Sequence, residues 1–254
     1  MHKIFVEPEN ISSNQIEITG ENLNHIKNVL RCQKNEKIEI ASLQEASFSY
    51  ITCIEEISKE KMICRILEKK PVETETRIYL HVIQGIPKAD KMEWIIEKGT
   101  ELGVKEFTPL LLKRCVVKLE PREEEKKQVR WRKIAKAAAE QSKRNQIPVI
   151  NKIQNVEKVF QTIQNYDIVL VAYEGEKENT LKQEVRKLEQ KQNLKIAIIV
   201  GPEGGIEEAE IQQMKEMGAK IISLGKRILR TETASLVVVS NIIYELEESS
   251  QIYK

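Results

Sequence analysis

From residue 77 onward the apolar residues switch repeatedly between two periods, and this alternation limits the fold more than any other feature. RIYLHVIQG (77–85), EFTPLLL (106–112), DIVLVAYE (167–174), KIAIIVG (195–201) and KIISLG (220–225) are short and nearly continuous in apolar residues. Such runs suit strands buried on both faces. The segments between them have helical spacing. In KADKMEWIIEKGTELG (88–103), Met92, Ile95, Ile96 and Leu102 recur at three- to four-residue intervals and Gly103 marks a stop. A long helix covers much of 122–145, and TASLVVVSNIIYELEE (233–248) reads as a final helix with one buried face, set against the sheet, a second subunit, or both. Strand–helix alternation of this kind predicts an α/β domain built on a mostly parallel sheet with helices on both faces.

Residues 1–70 follow a different pattern. KIEIA (37–41), SFSYITCIEEI (47–57) and KMICRIL (61–67) read as short strands, interrupted by a turn or two of helix in ENLNHIKNVLR (21–31). They predict a small, mostly antiparallel barrel. The polar EKKPVETET (68–76) serves as the linker, giving domains 1–70 and 71–254. The 254 residues suffice for two cores, with 41% hydrophobic residues, and a net charge of +2 does not by itself identify a polyanionic partner. Cys32, Cys53, Cys64 and Cys115 form no CxxC pair and neighbour no histidine cluster, so reduced thiols in a cytoplasmic protein are expected and a metal is not. His2, His25 and His81 are scattered, which favours structural roles. The N-terminus MHKIFVEPEN lacks the pattern of a signal peptide, and no run reaches the length of a membrane helix.

Two loops carry the chemistry. IVGPEGGIEEAE (199–210) ends a strand, packs three glycines and a proline around Glu203, and opens a helix. Ligands bind beyond the carboxyl ends of parallel strands, and glycines let them approach the main chain. A phosphate loop would end in GK[ST], whereas Glu203, Glu207 and Glu208 repel phosphate. Ribose hydroxyls, an amine or a cationic centre fit better. SLGKRILRTETASL (223–236) also follows a strand and brings Arg227, Arg230, Glu232 and Thr233 before an apolar helix that Thr231 or Thr233 could cap.

GPEGG together with LGKRILRTETA resembles the RsmE-type ribosomal RNA methyltransferases of the SPOUT superfamily, and the likeness extends to NHIKNVLR (24–31), KADKMEWIIEKGTELGV (88–104) and WRKIAKAAAEQSKR (131–144). The resemblance implies a PUA-like β-barrel followed by a knotted α/β domain. It also implies a homodimer, and transfer of a methyl group from S-adenosylmethionine to N3 of a uridine in 16S rRNA. Gly201, Pro202, Glu203, Gly204 and Gly205 would then wrap the cofactor with Leu224, Gly225, Ile228, Leu229, Arg230, Thr231, Thr233 and Ala234, while Tyr173 and Glu174 form a third wall. Arg230 would orient the uracil or stabilise charge on its carbonyl oxygens, and Glu232 or Glu203 would accept the N3 proton. Ile206 departs from the family, where an aromatic residue is common after GPEGG, and Lys226 is a second departure.

For the RNA, residues 1–70 hold ten basic and eleven acidic residues, so any grip there is local, with Lys27, Arg31 and Lys34 as the cluster. Residues 113–145 hold twelve basic and five acidic residues, a net +7, including Arg114, Arg130, Arg132, Lys133, Lys136, Lys143 and Arg144. Trp131 lies among them and is expected to face the core rather than a base. Two other functions compete with methyl transfer: a non-catalytic RNA-binding or assembly factor, and a nucleotide-binding metabolic enzyme.

Overall fold

The structure, a computed structural model, describes residues 1–116, 121–188, 191 and 193–247. The chain divides into two compact units, Met1–Glu75 with Ala139–Ile147, and Thr76–Ala138 with Pro148–Lys254. Among the described residues no helix is long and apolar enough to cross a membrane.

The first unit is a five-stranded sheet of β1 (Lys3–Val6), β2 (Gln15–Ile18), β3 (Lys37–Ser42), β4 (Phe48–Ile57) and β5 (Met62–Pro71), in the order β1-β3-β4-β5-β2. Its pairings are antiparallel except β1 with β3. Alternation turns Ile16 and Ile18 into a core with Ile4, Ile38, Ile40, Ile54 and Met62. Helix α1 (Gly20–Asn24) runs into a π-helical turn over His25–Leu30, closed by Arg31 in the left-handed region at φ 56°. The residues after 138 join this unit through buried polar contacts. Arg144, which is 2% exposed, pairs with Glu75 at 2.9 Å. The Asn145 amide donates to the carbonyls of Ala46 and Phe48. Lys3 bonds both Glu39 and the Lys143 carbonyl.

The second unit carries a six-stranded, wholly parallel sheet. In chain order its elements are β6 (Tyr79–Gly85), α2 (Lys91–Glu101), β7 (Glu106–Leu110), α3 (Pro121–Gln141), β8 (Val149–Ile150), α4 (Val156–Thr162), β9 (Ile168–Ala172), α5 (Leu181–Arg186), β10 (Lys195–Val200), α6 (Glu208–Glu216), β11 (Lys220–Ile222) and α7 (Thr231–Leu246). The strand order is β11-β9-β10-β6-β7-β8. The chain leaves β6 toward β7 and β8, then returns to the other side, so the order reverses beside β6, where open parallel sheets hold ligands. Val200 is in register with both Gln84 and Ala172, and Ala172 with Ile222. The carboxyl ends of β6, β10, β9 and β11 therefore lie along one edge. Trp131 is 2% exposed and faces the core.

At the start of the same sheet a polar cluster is closed off from water. His81, 1% exposed, bonds Thr108 Oγ1 through Nε2 at 2.7 Å and the Tyr166 hydroxyl through Nδ1 at 3.2 Å. Tyr166 and Tyr79 donate to Glu106 Oε2, and Asn151 donates to both Glu106 and Thr108. With its proton directed to Glu106, the Tyr166 oxygen accepts from His81, which assigns a proton to Nδ1. Burial pushes the His81 pKa down to about 4, and Glu106 opposes this only in part. An unfolded histidine titrates near 6.5, so between pH ~6.5 and ~4 the unfolded chain binds more protons, and stability declines as pH falls through that window, by about 3 kcal/mol at its end. Both tryptophans, Trp94 and Trp131, belong to this unit. Urea unfolding followed by their fluorescence is expected to show this loss between pH 7 and 4, and His81→Asn is expected to flatten it.

Candidate active site

The convergent strand ends enclose a cavity of about 460 Å³, within the range of small-ligand sites. Its walls contain Tyr173 and Glu174 after β9, the whole stretch Gly201–Gly205 after β10, and Leu224, Gly225, Ile228, Leu229, Arg230, Thr231 and Ala234 between β11 and the first turn of α7. The two loops singled out in the sequence thus meet, together with the third wall. Glu232 and Thr233, expected among them, do not line the cavity. They sit on the first turn of α7 and are turned away by its helical rotation. Arg227, singled out in the second loop, also lines the cavity, and the residues not foreseen there are Lys91, Ala172, Val200, Ile206 and Ser223. Lys91 opens the helix that follows β6, and the rule that every strand-to-helix loop of a parallel sheet reaches the same edge would have found it.

The loop geometry follows from local sterics. A side chain at Gly85, the end of β6, would put its Cβ 2.6 Å from Pro202 Cδ and 2.7 Å from Pro202 N, so only glycine lets the two loops approach. Gly205 adopts φ +73°, and a Cβ there would meet the Glu174 carboxylate at 2.6 Å. Ile206, where the family favours an aromatic, is 2% exposed and packs with Ile211, Met214 and Ile221 beneath the loop.

A buried hydrogen-bond network fixes the loops. Gln84 Nε2 donates to Thr231 Oγ1 (2.8 Å) and to the carbonyl of Gly85 (2.9 Å). The Thr231 hydroxyl donates in turn to the Gly201 carbonyl (2.6 Å), and Ser235 donates to Gln84 Oε1. Neither Thr231 nor Thr233 caps α7. The N-cap is Arg230, without a side-chain cap bond, because the Thr231 hydroxyl is engaged by the glycine loop.

The carboxylate inside the loop is held by the chain itself. Glu203 accepts the Lys88 backbone N–H at 3.1 and 3.2 Å through its two oxygens and lies 2.8 Å from Lys91 Nζ. Glu232 faces the same ammonium at 3.3 Å, a looser ion pair. Burial alone would raise the Glu203 pKa, but the Lys91 ammonium and backbone N–H groups outweigh it and hold the carboxyl below its usual range. The bond to Glu203, then that to Glu232, keeps Lys91 above its ordinary value. Among the described residues Arg230 forms no ion pair, with Glu232 or any other side chain, and it is exposed at the cavity wall.

The basic residues proposed for RNA divide. Arg31, Lys34 and Arg132 are exposed. Lys27 donates to the Ser58 carbonyl and Lys136 is half-buried. Arg114 donates to the Gly204 carbonyl at 3.0 Å, on the outside of the glycine loop. Arg144 is a correction: buried and committed to Glu75, it presents no surface to a phosphate. Lys118, counted in the basic stretch, lies outside the described residues.

With the geometry in place, comparison with known proteins assigns the class. An RNA methyltransferase domain model matches residues 74–243 and an RNA methyltransferase PUA domain model matches residues 18–67, so fold and site define a PUA-bearing RNA methyltransferase architecture of the SPOUT type. The ribosomal RNA small subunit methyltransferase E of Bacillus subtilis is 38% identical over 97% of this chain and 98% of its own, and that of Mesomycoplasma hyopneumoniae 33% identical over 96% and 99%. The crystal structure of a ribosomal RNA small subunit methyltransferase E from Neisseria gonorrhoeae bound to S-adenosylmethionine aligns with a TM-score of 0.81 at 27% identity, covering 96% of this chain and 97% of that one. A Legionella pneumophila structure with the bound cofactor SAM aligns at 0.85 and 29% identity, covering 95% and 96%. The chain belongs to the ribosomal RNA small subunit methyltransferase E family.

Gln84 is the node whose loss should be most visible. Gln84→Leu removes the three hydrogen bonds that the amide makes with Thr231, Ser235 and the Gly85 carbonyl, while both hydroxyls keep a carbonyl acceptor, at a cost of about 1–3 kcal/mol. A corresponding drop in urea stability by tryptophan fluorescence, with the fold retained by circular dichroism, is the expected result.

Proposed function

We propose that this protein methylates N3 of a uridine in 16S rRNA, with S-adenosylmethionine as the methyl donor. The observation that carries the reading is the meeting of Gly201–Gly205, Leu224–Ala234 and Tyr173–Glu174 around one cavity at the carboxyl edge of the parallel sheet. The lining fits that cofactor. Leu224, Ile228 and Leu229 offer apolar surface for an adenine, the glycines expose backbone donors and acceptors, and Glu174 and Glu203 present carboxylates to ribose hydroxyls or a cationic centre.

When bound, the cofactor supplies an electrophilic methyl group on a sulfonium. The chain's own residues bind and orient. Uracil N3 must lose its proton as the new N–C bond forms. Arg230, exposed at the cavity wall and unpaired among the described residues, is placed to hold the uracil carbonyl oxygens as they gain charge. Glu203 remains at the wall as a proton acceptor, but its lowered pKa makes it a weak base, and Glu232 is withdrawn against Lys91. Positioning therefore carries more of the rate than proton transfer. The exposed cations on α3, with Arg31 and Lys34 in the PUA unit, would meet phosphates.

The reading extends to a homodimer. Beyond the face that α7 buries, Val237, Ser240, Ile243 and Tyr244 form a second stripe at helical spacing, and Tyr244 is 65% exposed. Trp94 on the adjoining α2 is 49% exposed. Action on small-subunit RNA would place the protein in the cytoplasm.

Incubating the protein with labelled S-adenosylmethionine and either small subunits or free rRNA lacking the modification, then mapping the label, is expected to give N3-methyluridine at one position. Absence of label with RNA bound would leave an assembly factor; absence of RNA binding would leave a metabolic enzyme. Arg230→Ala is expected to keep cofactor affinity and lose at least about a hundredfold in single-turnover transfer. Arg132→Ala with Lys136→Ala is expected to lower the slope of log affinity for RNA against log salt by about 1.5.

A further inference from the structure

Beside the cavity one ammonium is shared by two carboxylates from different loops. Lys91 stands at the first position of α2, Glu203 in the glycine loop, and Glu232 in the first turn of α7. The contacts are 2.8 Å and 3.3 Å, with Glu203 also anchored on the Lys88 N–H. All three side chains are at least two-thirds shielded from solvent, with exposures of 30%, 27% and 17%, so their charges are screened less than those of a surface pair. Two carboxylates against one ammonium leave one negative charge, and Lys91 and Glu203 both line the cavity.

Resting on the reading that this cavity holds S-adenosylmethionine, we propose that Lys91, Glu203 and Glu232 form a charge-setting triad. Its net negative charge makes the site hold a cationic sulfonium more tightly than the uncharged thioether that remains after transfer. The chemistry of the reaction makes such a device useful. The methyl leaves with the sulfur's positive charge, so donor and product differ by one unit of charge and one carbon. A pocket of fixed shape distinguishes a single methyl weakly, whereas a charge in a partly shielded wall distinguishes the two sulfur states electrostatically. Lys91 prevents the two carboxylates, brought to the same spot by separate loops, from repelling each other or sharing a proton. It thereby acts as a positioning residue that keeps the group at minus one and ties α2 to both loops.

The test measures the ratio of affinities for S-adenosylmethionine and S-adenosylhomocysteine by calorimetry at constant pH and salt. Thermal unfolding without ligand verifies that each variant is folded. The nominal charge of the triad is −1 in the wild type, 0 in Glu203→Gln or Glu232→Gln, and +1 in the double variant; adding Lys91→Met to the double variant returns it to 0. The ratio is expected to fall by about three- to tenfold at each step toward positive charge and to recover by a similar factor on the final substitution. A contact role alone would weaken both ligands together and would not be rescued by removing a third side chain. A ratio that stays constant across folded variants, or fails to recover in the triple variant, overturns the triad. Wild-type protein that binds neither ligand overturns the cofactor reading itself.

Discussion

Gln84 holds the architecture of the site together because it is a polar side chain with nowhere else to satisfy its groups. It is completely buried at the end of β6, where an unmet amide would be costly. Its nitrogen is met by Thr231 and the Gly85 carbonyl, and its oxygen by Ser235. Thr231 and Ser235 belong to α7, and Thr231 passes the connection on to Gly201. One side chain thus fixes the start of the last helix and the start of the glycine loop against the sheet. The glycine loop needs such anchors, because glycines supply freedom rather than constraint.

Around that inner anchor, charges arrange the outer surface of the same loop. Lys88 and Lys91 hold Glu203 from the β6 side, and Arg114 holds the Gly204 carbonyl from the β7 side. The carboxylate that seemed aimed only at a ligand is also a strut. A single residue can serve both ends where a cavity is walled by flexible loops, since the contact that fixes the carboxylate also fixes the field it exerts.

Much of this was legible in residue order. The alternation of apolar runs with helical segments specified the parallel sheet, because strands covered on both faces and helices covered on one leave different periods. The two ligand loops were legible because glycine, proline and charged residues at strand ends have few other uses. Thr231 was misread as a helix cap, since its spacing to α7 is the same whether its hydroxyl serves the helix or Gly201. Arg144 was read as a phosphate contact because its neighbours Lys143, Arg132 and Lys136 are basic, yet it is buried against Glu75. Charge density along a chain does not tell which cations a distant carboxylate has already claimed.

The parallel pairing of β1 with β3 and the return of Ala139–Ile147 to the first unit show the same limit. Both are set by long-range hydrogen bonds, such as those of Lys3, Glu75 and Asn145, that leave no periodic trace. The sequence by itself determined the class of fold, the two loops and their place at strand ends, because periodicity and glycine content are local consequences of covalent geometry. Only the tertiary structure decided that Lys91 stands between Glu203 and Glu232 and that Gln84 links β6 to α7. Those meetings join residues more than a hundred positions apart, and only packing determines which of many possible partners a buried polar group finds.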